Sequence, residues 1–242
     1  MTDTVLITGA TRGIGLSTAH HLSDQGFRVL GIGRSAPDTE FPGELFLADL
    51  ADIAATQSVM DAILARFEVD CVVNNVGLNI VEPLGDVQLD SLARVLDLNL
   101  RVSVQVAQAA LEGMKSRKYG RIINLSSRGA LGRAGRTSYG AAKAGIIGMT
   151  RTWALELAPY QITANAVSPG PTETEMFKRN NLEGPGAEER RQEFLSGIPL
   201  GRFAQPDEVA FAIGFLLDRR ASFVTGQLLH VCGGSSLVSS AI

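Results

Sequence analysis

Short runs rich in Val, Ile and Leu recur along the chain at Val5–Thr8, Arg28–Gly31, Glu44–Ala48, Cys71–Asn74, Arg121–Leu125, Thr163–Val167 and Leu228–Val231. They are apolar runs without alternation, the pattern of strands covered on both faces. Longer stretches with helical periodicity separate most of them: Ile14–Gln25, Ile53–Phe67, Leu89–Lys115, Tyr139–Ala158 and Asp207–Leu217, the fourth stopped by Pro159. This alternation predicts an α/β fold, a doubly wound Rossmann-type parallel sheet of about seven strands flanked by helices on both faces. With no internal repeat and no low-complexity linker, a single domain over 1–242 is expected. One stretch breaks the rhythm. Thr172–Pro199 carries Gly184, Pro185 and Gly186 between charged residues and reads as too polar for a core element. It is read as a mobile lid over 172–199, with a plain surface excursion as the other reading.

Composition narrows the class. Apolar residues make up 45% of the chain and charged ones 19%, enough for a buried core and unlike a disordered or fibrous chain. A net charge of −3 provides no basic field for a phosphate backbone, so nucleic acid is not an expected partner. Cys71 and Cys232 lie in apolar runs outside any C-x-x-C spacing, and are read as buried thiols in a reducing compartment, with no metal site. Met1-Thr2-Asp3-Thr4 enters a strand pattern at once, with no basic region before it, so a cytoplasmic location is expected. Residues 221–242 contain no Asp, Glu, Lys or Arg, but Gly, Ser, Gln and His interrupt them too often for a membrane span.

The first strand is followed by Thr8-Gly9-Ala10-Thr11-Arg12-Gly13-Ile14-Gly15, a glycine-rich turn that opens a helix. Glycines there let backbone N–H groups approach a pyrophosphate, and the helix N-terminus adds its positive dipole end. About twenty residues further on, NAD-binding units place an acid on the adenosine ribose. Here Gly33-Arg34 stands instead, with Asp38 and Glu40 slightly later. A glycine leaves room for a 2′-phosphate, and Arg34 with Arg12 can grip it, so NADP(H) is favoured over NAD(H). Asp49-Leu50 ends the third strand and Asn74-Asn75-Val76-Gly77 the fourth, at the carboxyl ends where such sheets bind ligands. Taken singly, the first is an ordinary helix cap and the second a turn.

At the other end of the reading stands Thr137-Ser138-Tyr139-Gly140-Ala141-Ala142-Lys143. Tyr139 and Lys143, at i and i+4, share one helix face. A phenol with a pKa of about 10 is a poor base at neutral pH. A nearby ammonium, joined by the positive ring of an oxidised nicotinamide, is expected to lower that value. By itself a Y-x-x-x-K is more often an amphipathic helix with a snorkelling lysine.

In order and spacing, T-G-x-x-x-G-x-G, N-N-x-G, a helical Asn, a strand-end Ser, Y-x-x-x-K and P-G-x-x-x-T resemble the short-chain dehydrogenase/reductases from end to end. The resemblance implies that Tyr139 donates and accepts the proton, that Lys143 lowers its pKa and holds the nicotinamide ribose, and that Asn99 supports a water in the proton relay. It also implies cofactor contacts from Gly9, Thr11, Arg12, Gly13, Ile14, Gly15, Arg34, Asp49, Leu50, Asn75, Val76, Gly77, Pro169, Gly170, Thr172 and Thr174. The serine is one of two neighbours. Counting thirteen residues back from Tyr139 selects Ser126, and counting forward along the strand selects Ser127. Strand register resists slippage while loops absorb deletions, so Ser127 is chosen. Val76 and Cys232 depart from the family pattern, which has alanine and aspartate there. The expected function is hydride transfer between nicotinamide and a carbonyl or secondary alcohol. The lid resembles that of reductases of 3-oxoacyl thioesters on acyl carrier protein. Arg128, Arg133, Arg136, Lys178 and Arg179 would also serve sugar acids or small hydroxy acids. A non-catalytic NADP redox sensor is the alternative of another class. The family also implies a homotetramer, for which Gly145 and Gly148 permit close helix contacts.

Overall fold

A computed structural model describes residues 2–238. Seven strands form one parallel sheet: β1 Thr4–Thr8, β2 Arg28–Gly33, β3 Glu44–Leu47, β4 Cys71–Asn74, β5 Gly120–Leu125, β6 Ile162–Pro169 and β7 Leu228–Val231. Their order is β3-β2-β1-β4-β5-β6-β7. The chain therefore builds outward from β1 in one direction, then returns to its other side through β4, and a crevice opens at the carboxyl ends where the direction reverses.

Strand side chains alternate between two cores. Leu6, Leu30, Ile32, Val72, Ile122 and Ile162 face one, together with helices α2 Ile53–Leu64, α4 Val102–Arg117 and α5 Thr137–Leu157. Val5, Ile7, Val29, Val73, Ile123 and Val167 face the other, with α1 Gly13–Asp24 and α8 Pro206–Leu217. This double cover explains why the strands read as unbroken apolar runs.

Two expectations are corrected. The stretch read as one helix from Leu89 to Lys115 is α3 Leu89–Leu96 and α4 separated by a π-helical turn at Asp97–Arg101. There the Val102 N–H reaches Asp97 O, five residues back. One extra residue in a turn leaves the flanking apolar periodicity intact, so the pattern does not report it. The segment 172–199 is not devoid of core. It forms α6 Glu175–Asn181 and α7 Ala187–Ser196. Phe177, Phe194 and Phe203 meet edge to face between them, with Ile198 alongside. Four widely spaced apolar residues suffice for this satellite core, which an average over a polar segment conceals.

Candidate active site

β1 ends at Thr8 and α1 begins at Gly13. Between them Gly9 and Gly13 adopt φ of 65° and 53°, a region that side chains disfavour. Gly15 serves a different need. A Cβ there would stand 2.1 Å from Gly9 O and 2.5 Å from Asn75 Nδ2, so helix and turn touch through bare backbone. Asn75 reaches over from the end of β4, its Nδ2 donating to Thr8 O at 2.9 Å and Gly9 O at 3.0 Å. Thr8 Oγ1 answers by accepting the N–H groups of Asn75 and Val76, each at 3.1 Å. The amide expected to touch a cofactor thus braces the turn. Arg12 caps α1 without a side-chain hydrogen bond, and no acid occupies the first turn. The helix therefore presents N–H groups and its dipole end to the crevice, a cradle suited to a pyrophosphate.

Gly9, Arg12, Gly13, Ile14, Asn75, Val76 and Gly77 line one continuous cleft with Ser127, Tyr139, Lys143, Pro169, Gly170, Thr172 and Thr174. Thr11, Gly15, Arg34, Asp49 and Leu50 lie outside its lining. Asp49 Oδ1 accepts the Ala51 N–H at 3.0 Å, and the Leu50 side chain belongs to the core. A Cβ on Gly33 would meet Thr11 Cγ2 at 2.4 Å, so this glycine lets the end of β2 abut the turn, and exposed Arg34 follows directly.

The two serines separate cleanly in space. Ser126 Oγ donates to Lys143 O at 2.8 Å and is committed to α5. Ser127 Oγ accepts the Gly129 N–H at 3.0 Å and hydrogen-bonds Tyr139. Lys143 is only 4% exposed, and its Nζ donates to Leu125 O at 2.7 Å. Asn99, in the π-helical turn, donates from Nδ2 to Leu78 O at 2.8 Å and Val95 O at 2.7 Å, while its buried Oδ1 has no protein partner. A Cβ on Gly77 would stand 2.8 Å from that Oδ1 and 3.5 Å from Lys143 Nζ. Asn99 and Lys143 are thus gathered behind a glycine that admits them both.

The electrostatics differ from the expectation that Lys143 brings Tyr139 down. Burial raises the phenol above its ordinary range, only partly offset by the Ser127 hydrogen bond and by the Arg136 charge. Lys143 is itself drawn down to about 7 by burial. In the protein alone, desolvation outweighs both neighbours and Tyr139 is a protonated phenol.

Closing the far wall, Thr172 Oγ1 donates to Gly170 O at 3.0 Å, and Thr174 Oγ1 accepts the Phe177 N–H at 3.2 Å as the cap of α6. The methyl of Thr174 would lie 3.2 Å from a Cβ on Gly13. Cys232 packs its backbone 2.8 Å from the corresponding position of Gly170, and its Sγ donates to Ser236 Oγ at 3.2 Å. Sequence reasoning missed Asn79 and Asn181, which hold Arg136 in the cleft wall. It also missed the buried chain Asn74–Asn124–Thr150, which pins β4 and β5 to α5. A lone Asn or Thr in an apolar run has no sequence signal for such a role. Among the described residues, no cluster of His, Cys, Asp and Glu could hold a metal ion, and no helix is long and apolar enough to cross a membrane.

A family model described as enoyl-(acyl carrier protein) reductase matches residues 9–236. The chain belongs to the short-chain dehydrogenase/reductase family. As a short-chain dehydrogenase/reductase it is an oxidoreductase acting on CH–OH or carbonyl groups. It is 35% identical over 242 residues to the 3-oxoacyl-[acyl-carrier-protein] reductase of Vibrio cholerae, covering 96% of this chain and 97% of that protein. The Vibrio harveyi protein of the same name is 38% identical over 244 residues, with the same two coverages. Among solved structures, a putative NAD(P)-dependent gluconate 5-dehydrogenase from Beutenbergia cavernae, with NADP bound at low occupancy, superposes with a TM-score of 0.91. It is 31% identical and the match covers 98% of this chain and 97% of that one.

Proposed function

We propose that this short-chain dehydrogenase/reductase transfers a hydride between NADP(H) and a carbonyl or secondary alcohol, with Tyr139 as the proton donor and acceptor. The observation that carries this reading is the meeting of Ser127 and Tyr139 in the cleft that also holds the uncapped N-terminus of α1. A nicotinamide cofactor held in this cleft would supply or accept the hydride. Gly9, Gly13 and Ile14 would hold its pyrophosphate, Val76 and Gly77 its middle, and Lys143 and Thr174 its nicotinamide end. Arg34 and Arg12 would take the 2′-phosphate, and the NADP-bound relative supports that preference.

Ser127 orients the reacting oxygen and stabilises its negative charge. Tyr139, a neutral acid in the protein alone, is set to protonate that oxygen in the direction of reduction. Asn99 Oδ1 and Lys143 Nζ, both close to Gly77, would hold a water that returns the proton; the lack of a protein partner for Oδ1 supports this. Helices α6 and α7 act as the lid. The names of the Vibrio relatives support a 3-oxoacyl thioester on acyl carrier protein as substrate. The family resemblance supports a homotetramer in the cytoplasm.

Replacing Tyr139→Phe is expected to lower kcat by about 10²–10⁴-fold. NADPH affinity should be kept, as followed by NADPH absorbance against a carbonyl panel and by fluorescence titration. Full turnover in this variant would sink the mechanism. Binding of NADPH with no oxidation by any carbonyl in the wild type would favour a redox sensor.

A further inference from the structure

Five cationic side chains line the cleft, Arg12, Arg128, Arg133, Arg136 and Lys143, against one carboxylate, Glu175. Arg12 stands at the glycine turn, Lys143 is committed to Leu125 O, and Arg128 Nε donates to Ser235 O at 3.1 Å. Arg133 and Arg136 are different. They flank the entry to α5, and among the described residues neither has a carboxylate within ion-pair distance.

Arg136 is 6% exposed. Its Nη1 donates to Asn79 Oδ1 at 2.9 Å and its Nη2 to Asn181 Oδ1 at 2.8 Å, both neutral acceptors. A guanidinium taken out of water and met only by amide oxygens is costly, because it cannot shed its proton as a lysine can. Arg133 lies with its Cζ 3.7 Å from the centroid of the Phe194 ring, a stacking that fixes the planar group. Burial and the charge of Arg136 draw it down to about 10, with Glu193 opposing and Arg128 adding to the shift, so it too is charged at neutral pH. Two guanidiniums held close together despite their repulsion make a site for an anion.

The position says which anion. Arg136 is the N-cap of α5, three residues before Tyr139; both line the same cleft, and the Arg136 charge acts on the Tyr139 phenol. An anionic group held there belongs to the same small molecule as the oxygen held by Ser127 and Tyr139. We infer that the substrate is a short oxo acid, or its hydroxy acid, whose carboxylate is bound by Arg136 and Arg133. This rests on the hydride-transfer reading, and it selects the acid over the 3-oxoacyl thioester that the names of the Vibrio relatives support. A planar carboxylate matches the guanidinium fork. A thioester has no charge at its reacting end and would leave both groups uncompensated. In reduction the carbonyl carbon gains the hydride and its oxygen gains the Tyr139 proton, while the carboxylate passes through unchanged.

The test uses the enzyme with NADPH and a set of 2-, 3- and 4-oxo acids, each paired with its amide. The N-acetylcysteamine thioester of 3-oxobutanoate and a phosphorylated hydroxyketone complete the set. At least one acid should exceed its amide in kcat/KM by about 100-fold or more, the scale of a desolvated charge pair. Arg136→Met and Arg133→Met should each collapse that ratio by at least about tenfold, mainly through the KM of the acid. Arg133 touches the lid only through the Phe194 ring, on which a methionine side chain can still pack, so its variant removes the charge while keeping an apolar contact there. Acid-to-amide ratios near one, a ratio unchanged in both variants, or preference for the thioester or the phosphate ester would overturn the inference and leave the hydride-transfer reading standing. If no carbonyl compound is reduced, that reading fails, and calorimetry on the NADP(H) complex decides the subsite alone. Tighter binding of acid than amide, lost in Arg133→Met, upholds it, and equal binding overturns it.

Discussion

Lys143 shows how one side chain trades stability for chemistry. Its pKa of about 7 in the fold lies well below the value of about 10.4 for an unfolded lysine. The unfolded chain therefore binds the proton more tightly, and between these values stability rises with pH. Below pH 7 the full cost of the buried charge is present, and it fades as pH climbs from about 7 toward 10. Lys143→Met should be more resistant to urea than the wild type at pH 6, with the gap narrowing by pH 9, while losing turnover at both. A gap of the same size at both pH values would show that burial of the charge is not its origin. The serine pair teaches a second lesson at this scale. Two counts of spacing select different serines, and opposite directions along the chain send Ser126 into α5 and Ser127 to Tyr139, as the strand count has it.

At the scale of elements, the glycine turn and the π-helical turn are both devices of close approach. Their legibility differs. Gly9, Gly13 and Gly15 announce themselves because only glycine fits, whereas the turn at Asp97–Arg101 is built from ordinary helix residues. Because a Cβ at position 15 would collide with the Gly9 carbonyl, α1 would have to move off the turn. Gly15→Ala should cost about 1–3 kcal/mol, the range for overpacked sites. For a chain of this size that lowers Tm by roughly 2–4 °C per kcal/mol. Calorimetry should show this drop, and titration a loss of NADPH affinity, since the N–H groups of α1 leave their alignment. The lid was half legible: its glycines and charges mark an excursion, but the contacts of Phe177, Phe194 and Phe203 arise only once two short helices fold together.

Across the whole molecule, the sheet order brings together groups that the chain keeps apart. Arg12 follows β1 and Arg34 follows β2, and the parallel pairing of β1 with β2 from Thr4↔Arg28 to Thr8↔Ile32 brings both to the same end of the sheet. Each charge-assisted contact with a phosphate contributes about 1.5–3 kcal/mol. The double variant Arg12→Ala with Arg34→Ala should thus raise the Kd for NADPH by at least about 100-fold and leave NADH within a few fold. Fluorescence titration with both nucleotides, at low and high salt, checks this; equal losses for the two would remove the arginines from the 2′-phosphate.

The seven strands, the parallel sheet and the family motifs were legible in the chain, because they rest on local rules: apolar periodicity, glycine sterics and the spacing of Tyr139 and Lys143 along one helix. Only the tertiary structure decided that burial lifts Tyr139 and depresses Lys143, and that Arg133 and Arg136 stand in the cleft with no carboxylate paired to them among the described residues. Those outcomes depend on which groups share a buried volume, and desolvation is a property of the surroundings that a residue acquires only when the chain closes around it.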